Sequence, residues 1–359
     1  MNSAVSPLPS PADSLGRLKA EVLDPGLCVA CGACLGLCPH MIFYDGRLAA
    51  PDPCGLEDGR CYDLCPQVLE PEPDQRRRAL HQALGNEFQP PLGPVGERWQ
   101  ARARRPDQGV QYGGVVSALV ALALEEGLVG EAVLTRPAEY GSPRGVRVRD
   151  RQGVEQCTGS WYAPGAALGE LNRALAEPAE HRLALVGLPC QALGAAAMKA
   201  HPSYPAAAQR LGLVIGLFCT WNLEARSLRQ LLARQGVVGT VRRMDIPPPP
   251  AEVLQVDSDQ GSWQLPLEKV RQVGLAGCAL CPDMTAELAD LSVGAAEGRP
   301  GWNTLLVRTP AGAELLELAR QKELLELEEV AEASWGHLRQ AAEGKRRRAL
   351  AAWKERRHA

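Results

Sequence analysis

Four cysteines stand at Cys28-x2-Cys31-x2-Cys34-x3-Cys38, with Pro39 directly after the last. Thiolates at this spacing wrap an iron–sulfur cluster: the short gaps let one loop bind three irons, and the fourth cysteine, before proline, reaches a neighbouring cluster. The chemistry this implies is one-electron transfer. Structural zinc favours two separated C-x2-C pairs, and the proline adds nothing to such a site. The N-terminus is rich in Ser, Pro and Ala and carries no apolar signal segment. The 12 cysteines therefore point to the reducing cytoplasm, where thiolates are available for metal rather than for disulfides.

A second motif follows as Cys54-x6-Cys61-x3-Cys65-Pro66. Compared with the first it lacks one thiolate, and Asp58 occupies the C-x2-C place ahead of Cys61. Three readings stay open: a 4Fe-4S cluster with Asp58 as fourth ligand, a 3Fe-4S cluster on three thiolates, or a 4Fe-4S cluster completed from elsewhere. The fourth cysteines of such paired motifs cross over. One cluster is accordingly assigned to Cys28, Cys31, Cys34 and Cys65, the other to Cys38, Cys54 and Cys61. A carboxylate is a harder ligand than a thiolate, so an iron on Asp58 would be exchangeable.

Five cysteines remain. Cys190 ends an apolar run in Val186-Gly187-Leu188-Pro189-Cys190-Gln191, and Cys219 ends another in Gly216-Leu217-Phe218-Cys219. Strand ends at one edge of an α/β sheet are where ligands gather. With Cys278-x2-Cys281 they make four thiolates, enough for one more 4Fe-4S cluster, although a buried cysteine is often only a small hydrophobe. Cys157, isolated beside Thr158-Gly159, reads as inert.

The elements that must position these residues follow from periodicity and punctuation. Residues 1–23 read as a flexible leader, 24–70 as a ferredoxin-like domain whose core is supplied by metal, and 71–107 as a Pro- and charge-rich linker with a helical stretch at Gln75–Leu84. From Gln111 the chain alternates helix and strand: a buried helix from Val115 ended by Gly127, strands at Ala132–Thr135 and Val146–Arg149, a helix at Ala166–Ala176, and strands at Leu183–Val186 and Leu213–Phe218. That alternation argues for a mixed-sheet α/β domain over 108–310, with a C-terminal helical segment over 311–359. The Pro248–Pro250 region reads as a surface loop between strands.

A net charge of −3 and 4% aromatic residues give no case for nucleic-acid binding. The basic runs Lys345–Arg348 and Lys354–Arg357 sit at helical spacing among Ala and Leu, and read as a solvated helix face. No run of about 18 apolar residues is present, so no membrane span is expected.

In order along the chain come Gln111-x-Gly113-Gly114, Leu188-Pro189-Cys190-Gln191, Gly216-Leu217-Phe218-Cys219, Cys278-x2-Cys281-x-Asp283-x3-Glu287-x-Ala289-Asp290-x-Ser292-x-Gly294, Gly301-Trp302-Asn303-Thr304 and Val307-Arg308-Thr309. From about Gln111 onward this resembles the β subunits of coenzyme F420-reducing hydrogenase and formate dehydrogenase, a family that includes 7-hydroxymethyl chlorophyll a reductase and whose members in several cases carry an N-terminal ferredoxin-like domain. The resemblance implies a flavin- and cluster-binding α/β domain, with FAD as the flavin and the 4Fe-4S cluster on Cys190, Cys219, Cys278 and Cys281. It implies a flavin-contacting turn at Gln111, Gly113 and Gly114, with Ser117, Trp161 and Tyr162 as further cofactor-binding candidates. Two glycines at a helix N-terminus suit this, because backbone N–H groups and the helix dipole can then approach an anion. Two positions depart from the family: Tyr112 follows the glutamine where Asp is common, and Trp161 stands where many members have lysine.

The function implied is an electron-transfer subunit of an oxidoreductase. It would exchange electrons between a soluble carrier, coenzyme F420 or ferredoxin, and a partner hydrogenase or dehydrogenase. Its cofactors would be FAD and two to three clusters. The alternatives are a self-contained ferredoxin-dependent reductase of an organic substrate and a relay that lacks flavin. An exposed apolar patch near the small clusters would favour the electron-transfer subunit, and a sizeable ligand pocket on the flavin's open face the self-contained reductase. Asp283, Glu287 and Asp290, spaced i, i+4 and i+7 behind the last cysteines, are candidates for proton carriage, with capping and salt bridges as the alternative.

Overall fold

The computed structural model describes residues 13–37, 39–106, 110–138, 142–248 and 251–358. Among them, β1 (Ile42–Tyr44) and β2 (Arg47–Ala49) form a hairpin in the cysteine-dense region. β3 (Glu97–Ala103), β4 (Glu131–Arg136), β5 (Arg144–Val148), β6 (Leu183–Gly187) and β7 (Leu211–Leu217) enter the main sheet. β8 (Val241–Asp245), β9 (Val253–Ser258) and β10 (Gly261–Pro266) make a small antiparallel sheet. β11 (Leu291–Ala295), β12 (Asn303–Val307) and β13 (Leu325–Glu329) return to the main one, whose order is β13-β3-β12-β11-β7-β6-β4-β5. The centre, β4-β6-β7-β11, is parallel, and antiparallel strands flank it on both sides. The mixed α/β sheet expected from the sequence is present.

Alternation along the central strands explains the layering. Leu183, Leu185, Leu211 and Val214 face one core with the helices Ala167–Ala176 and Pro189–Ala200. Ala184, Val186, Leu213 and Ile215 face the other with the helices Val115–Glu125 and Pro310–Gln321. Two-residue periodicity buried on both faces is what a covered parallel sheet requires. Each fully buried Leu or Ile contributes about 1.5–3 kcal/mol.

The cysteine-dense segment sits on the first of these cores. Val29, Cys31, Ala33 and Leu64 belong to it. Asn172, buried on its helix, donates to the carbonyls of Ala33 (3.0 Å) and Leu35 (2.7 Å), and Tyr204 Oη donates to the Asn172 amide oxygen at 2.8 Å. The backbone N–H of Leu168 donates to Cys31 O at 3.2 Å. A Cβ on Gly32 would stand 2.4 Å from Ala166 O, so the loop must carry glycine there to come this close.

Four sequence expectations need correction. The leader is not flexible over 13–23: Ser14–Leu18 is α-helical and continues as a π-helical turn at Lys19–Leu23. Leu15, Leu18 and Val22 are buried, and Ser14 Oγ accepts from Gly59 N at 2.6 Å. The linker expected over 71–107 ends early, because β3 lies between β12 and β13 inside the main sheet. The segment 311–359 is not all helical, since β13 pairs with β3 before the long helix Glu332–His358. The basic runs on that helix form a solvated face only in part: Arg347, Arg348, Lys354 and Arg357 are exposed. Lys345 is buried and Arg346 pairs with Asp74 at 2.6 Å. Pro249 and Pro250 lie outside the described residues.

Candidate redox centres

Parallel pairing of β6 with β7, Gly187 opposite Gly216, carries both strands to the same edge, so Cys190 and Cys219 emerge side by side. Cys190 falls in the first turn of the helix Pro189–Ala200, where Pro189 supplies a preset φ and the Gln191 side chain accepts from Leu188 N at 2.9 Å. The 3-10 turn Ala276–Leu280 brings Cys278 and Cys281 to the same place: Asn222 N donates to Cys278 Sγ at 3.4 Å, and Cys219 N donates to Met284 O at 2.9 Å. The chain then folds back over β7. There a Cβ on Gly216 would stand 2.3 Å from Ala286 Cβ.

The thiols of this set sense one another. Burial pushes Cys190 well above the ordinary thiol range, and the charges of Cys31, Cys281, Cys219 and Cys278 push it further. Burial raises Cys219 to about 11 and Cys278 to about 12, each with Cys281 among the neighbours adding to the shift. The first motif behaves alike: burial pushes Cys28 up to about 12, and Cys65 adds to it there as it does at Cys31 and Cys34. The structure thus gathers Cys28, Cys31, Cys34 and Cys65 in one place and Cys190, Cys219, Cys278 and Cys281 in another. Among the described residues no group of three or more His, Cys, Asp or Glu could hold a single metal ion. Thiols gathered in sets of four, with charge influences running between members of each set, match a multi-iron cluster in their donor chemistry. Cys31 is the largest charged influence on Cys190 after burial, so the two sets adjoin.

The second motif is less fully placed. Cys54 and Cys61 pack with Leu15, Leu18, Val22 and Met41, and Cys61 influences Cys34. Asp58 is exposed, and Cys38 lies outside the described residues. Cys157 packs instead against the core on the opposite sheet face, where burial raises it to about 11.

The glycine turn lies beside β12 and the end of β8. A Cβ on Gly113 would stand 2.7 Å from Asn303 Oδ1 and 2.8 Å from Ala101 O, and Gly114 adopts φ +67° at the mouth of the helix that carries Ser117. Gln111 Nε2 donates to Met244 O at 2.6 Å, Tyr112 Oη donates to Asp245 Oδ1 at 2.8 Å, and Ile246 N donates to Tyr162 Oη at 2.8 Å. Burial raises both phenols above the usual range. Asp245 adds at each, and the Cys219 charge adds at Tyr162. Gln111 Oε1 and Trp161 Nε1 are buried without a hydrogen-bond partner. Orphaned polar atoms of this kind are met by water or by a bound group, and the residues present fit a heteroaromatic cofactor beside the Cys219 set.

Asp283, Glu287 and Asp290 all have scaffold roles in this geometry. Asp283 accepts from the N–H groups of Thr285 (2.9 Å) and Glu287 (3.0 Å). Asp290 accepts from Val214 N (2.7 Å) and from Thr309 Oγ1 (2.6 Å). Glu287 accepts from Arg77 at 2.5 Å, Arg77 pairs with Asp74 at 2.9 Å, and Asp74 pairs with Arg346 at 2.6 Å. Burial alone would raise Glu287; Arg77 and His81 outweigh it and hold the carboxyl below its ordinary range. Burial and the Glu287 charge raise Asp283. Glu287→Gln leaves the buried Arg77 with half its counter-charge and is expected to cost about 3 kcal/mol, read as a lowered urea midpoint at unchanged slope. Sequence reasoning missed Arg77, Arg346, Asn172 and Lys345, all of which act through tertiary contacts.

Two family profiles match the chain. One describes the N-terminal part of the coenzyme F420 hydrogenase/dehydrogenase beta subunit and covers residues 98–171; the other describes the C-terminal part of the same protein and covers 180–333. The coenzyme F420-dependent sulfite reductase of Methanocaldococcus jannaschii is 27% identical over 86% of this chain, which spans only 48% of that protein's length. The coenzyme F420 hydrogenase subunit beta of Methanothermobacter thermautotrophicus is 29% identical over 68% of this chain and 88% of its own. A chain in the structure of the F420-reducing [NiFe] hydrogenase complex from Methanosarcina barkeri superposes with a TM-score of 0.68 at 23% identity. The match covers 75% of this chain and 94% of that one, a likeness of fold. The chain belongs to the coenzyme F420 hydrogenase/dehydrogenase beta subunit family.

Proposed function

We propose that the chain is an iron–sulfur flavoprotein subunit of an oxidoreductase. In this reading it passes electrons between a soluble carrier, coenzyme F420 or ferredoxin, and a partner protein in the reducing cytoplasm. The observation that carries this is the adjacency of two four-thiol sets, with Cys31 of one beside Cys190 of the other and Tyr162 of the glycine-turn site beside Cys219. A bound flavin would supply the exchange between two-electron and one-electron carriers, and bound clusters the one-electron steps.

The chain's own residues bind, space and insulate those groups. Gln111, Gly113, Gly114, Ser117, Trp161 and Tyr162 line the flavin site. Its free acceptor is Gln111 Oε1 and its free donor Trp161 Nε1. Cys28, Cys31, Cys34 and Cys65 hold one 4Fe-4S cluster, and Cys190, Cys219, Cys278 and Cys281 another. Cys38, Cys54 and Cys61 hold a third centre, either 3Fe-4S or completed by Asp58.

Partner docking has support at the small domain. Ile42 (48% exposed), Tyr44 (74%) and Leu56 (62%) are large apolar side chains left in solvent there. Exposed apolar side chains on the cysteine-dense segment support a subunit that docks over a self-contained reductase. The F420 in the names of the relatives supports the deazaflavin as carrier. No helix among the described residues is long and apolar enough to cross a membrane.

The test is anaerobic purification with quantitation of FAD and iron, followed by stopped-flow mixing with reduced F420. The expected result is about one FAD and about 11–12 irons per chain, with rapid bleaching of the flavin. FAD and iron without a response to F420 would transfer the reading to a ferredoxin-linked reductase, and absence of FAD would leave a relay.

A further inference from the structure

Lys345 lies on the helix Glu332–His358, in a stripe with Ala342 and Ala349 that the fold buries, and is itself 5% exposed. Its Nζ donates to Cys219 O and to Asp283 O, both at 2.7 Å. An ammonium has three donors and no acceptor, so two are satisfied by carbonyls and the charge is met by neither. Among the described residues no carboxylate forms an ion pair with it. The Asp283 carboxylate, whose charge it senses, already accepts from the Thr285 and Glu287 N–H groups. The other acidic groups that act on the ammonium are the thiols of Cys281, Cys219 and Cys278.

A buried cation without a counter-charge is strongly destabilising. This one is stranded only while those thiols are protonated. Once they ligate iron they are thiolates, and the ammonium has its anion. We propose that Lys345 is the built-in counter-charge of the iron–sulfur centre on Cys190, Cys219, Cys278 and Cys281, and that it raises the reduction potential of that centre. The inference rests on the cluster reading given above and adds a residue that acts on it through charge. Reduction adds one negative charge to the centre. A fixed positive charge at short range in a site of low dielectric favours the reduced form, and net charge around a cluster is among the factors that set its potential. Lys345 is thus a positioning and tuning residue, placed by the C-terminal helix beyond the part of the chain that the family profiles match.

The experiment compares the anaerobically purified full chain with Lys345→Met, Lys345→Gln and Lys345→Arg, using iron content and an EPR-monitored redox titration. Of the successive reduction steps, one is expected to move to lower potential in the Met and Gln variants. The shift should be at least tenfold in the reduced-to-oxidised ratio at fixed ambient potential, which is 59 mV for a one-electron couple. The other steps should stay in place, and Lys345→Arg should titrate as the parent. If both neutral variants lose about four irons while Lys345→Arg keeps them, the centre needs a positive charge at this place and the proposal stands. Equal potentials in all variants, or equal loss of iron including Lys345→Arg, overturns it. Failure of the underlying cluster reading would look different, because the parent protein would then lack the iron and the corresponding signal.

Discussion

Cys190→Ser is expected to remove about four irons per chain, leave the small-domain irons in place and keep the flavin bound. Serine preserves the shape of the first helical turn after β6, so Pro189 still starts the helix and Gln191 still accepts from Leu188 N. What changes is the donor: a hydroxyl is a poor ligand where a soft thiolate is wanted. The flavin should still be reduced by its carrier, but electrons should no longer reach the small-domain clusters, so their EPR signals should fail to appear on mixing. Cys157→Ser is the matched control, because Cys157 packs against the opposite face of the sheet and should cost no iron. Iron and labile sulfide per chain, with EPR after stopped-flow reduction, decide the matter. Loss of iron from Cys157→Ser, or full iron in Cys190→Ser, would refute the assignment. Reloading the parent apoprotein should also accelerate as the pH is raised. Burial holds Cys219 near 11 and Cys278 near 12 in the metal-free chain, so each must shed a proton to ligate.

That these cysteines come together was legible because cysteine spacing encodes which thiols a short loop can present together, and because Val186-Gly187 and Gly216-Leu217 read as strands whose ends meet. The helix Val115–Glu125 was legible from its punctuation, a glycine pair before it and Gly127 after it, at φ +70°. Strand β3 was hidden by its own composition. Glu97-Arg98-Trp99-Gln100-Ala101-Arg102-Ala103 carries three charges and a glutamine in seven residues, and distant partners answer the charges: Arg102 pairs with Glu326 at 2.6 Å and Glu97 with Arg320 at 2.9 Å. Lys345 was hidden for the same kind of reason. A Lys-Arg run at helical spacing looks solvated until the fold places one member of it against the carbonyls of Cys219 and Asp283. Motif spacing is local information, whereas the identity of a charge's partner is not.

Gly277→Ala is expected to push the first cysteine loop away from the large domain. A Cβ at this position would stand 1.9 Å from Leu27 O, 2.8 Å from Leu27 C and 3.0 Å from Val29 Cγ1. The first two are backbone atoms, so no side-chain rotation relieves the clash. The segment Leu27–Val29, which carries Cys28, must move away from the turn that carries Cys278. Overpacking of a tight contact costs about 1–3 kcal/mol, but the larger consequence lies in geometry, since the two thiol sets meet here. Asn172 and Leu168 would still tether Ala33, Leu35 and Cys31 to the large domain. The expected product is therefore a folded chain with full iron, a displaced first loop and slow transfer from the large-domain centre to the small one. Hydrogen exchange should rise in Leu27–Cys34, and EPR signals of the small-domain clusters should develop more slowly after the flavin is reduced. Gly336→Ala is the control. That glycine lies within the C-terminal helix with nothing inside 4 Å of the added methyl, so alanine should stabilise by about 0.5–1 kcal/mol without altering transfer. If Gly277→Ala transfers electrons as fast as Gly336→Ala, the contact between Leu27 and the Cys278 turn is not the route that joins the two centres.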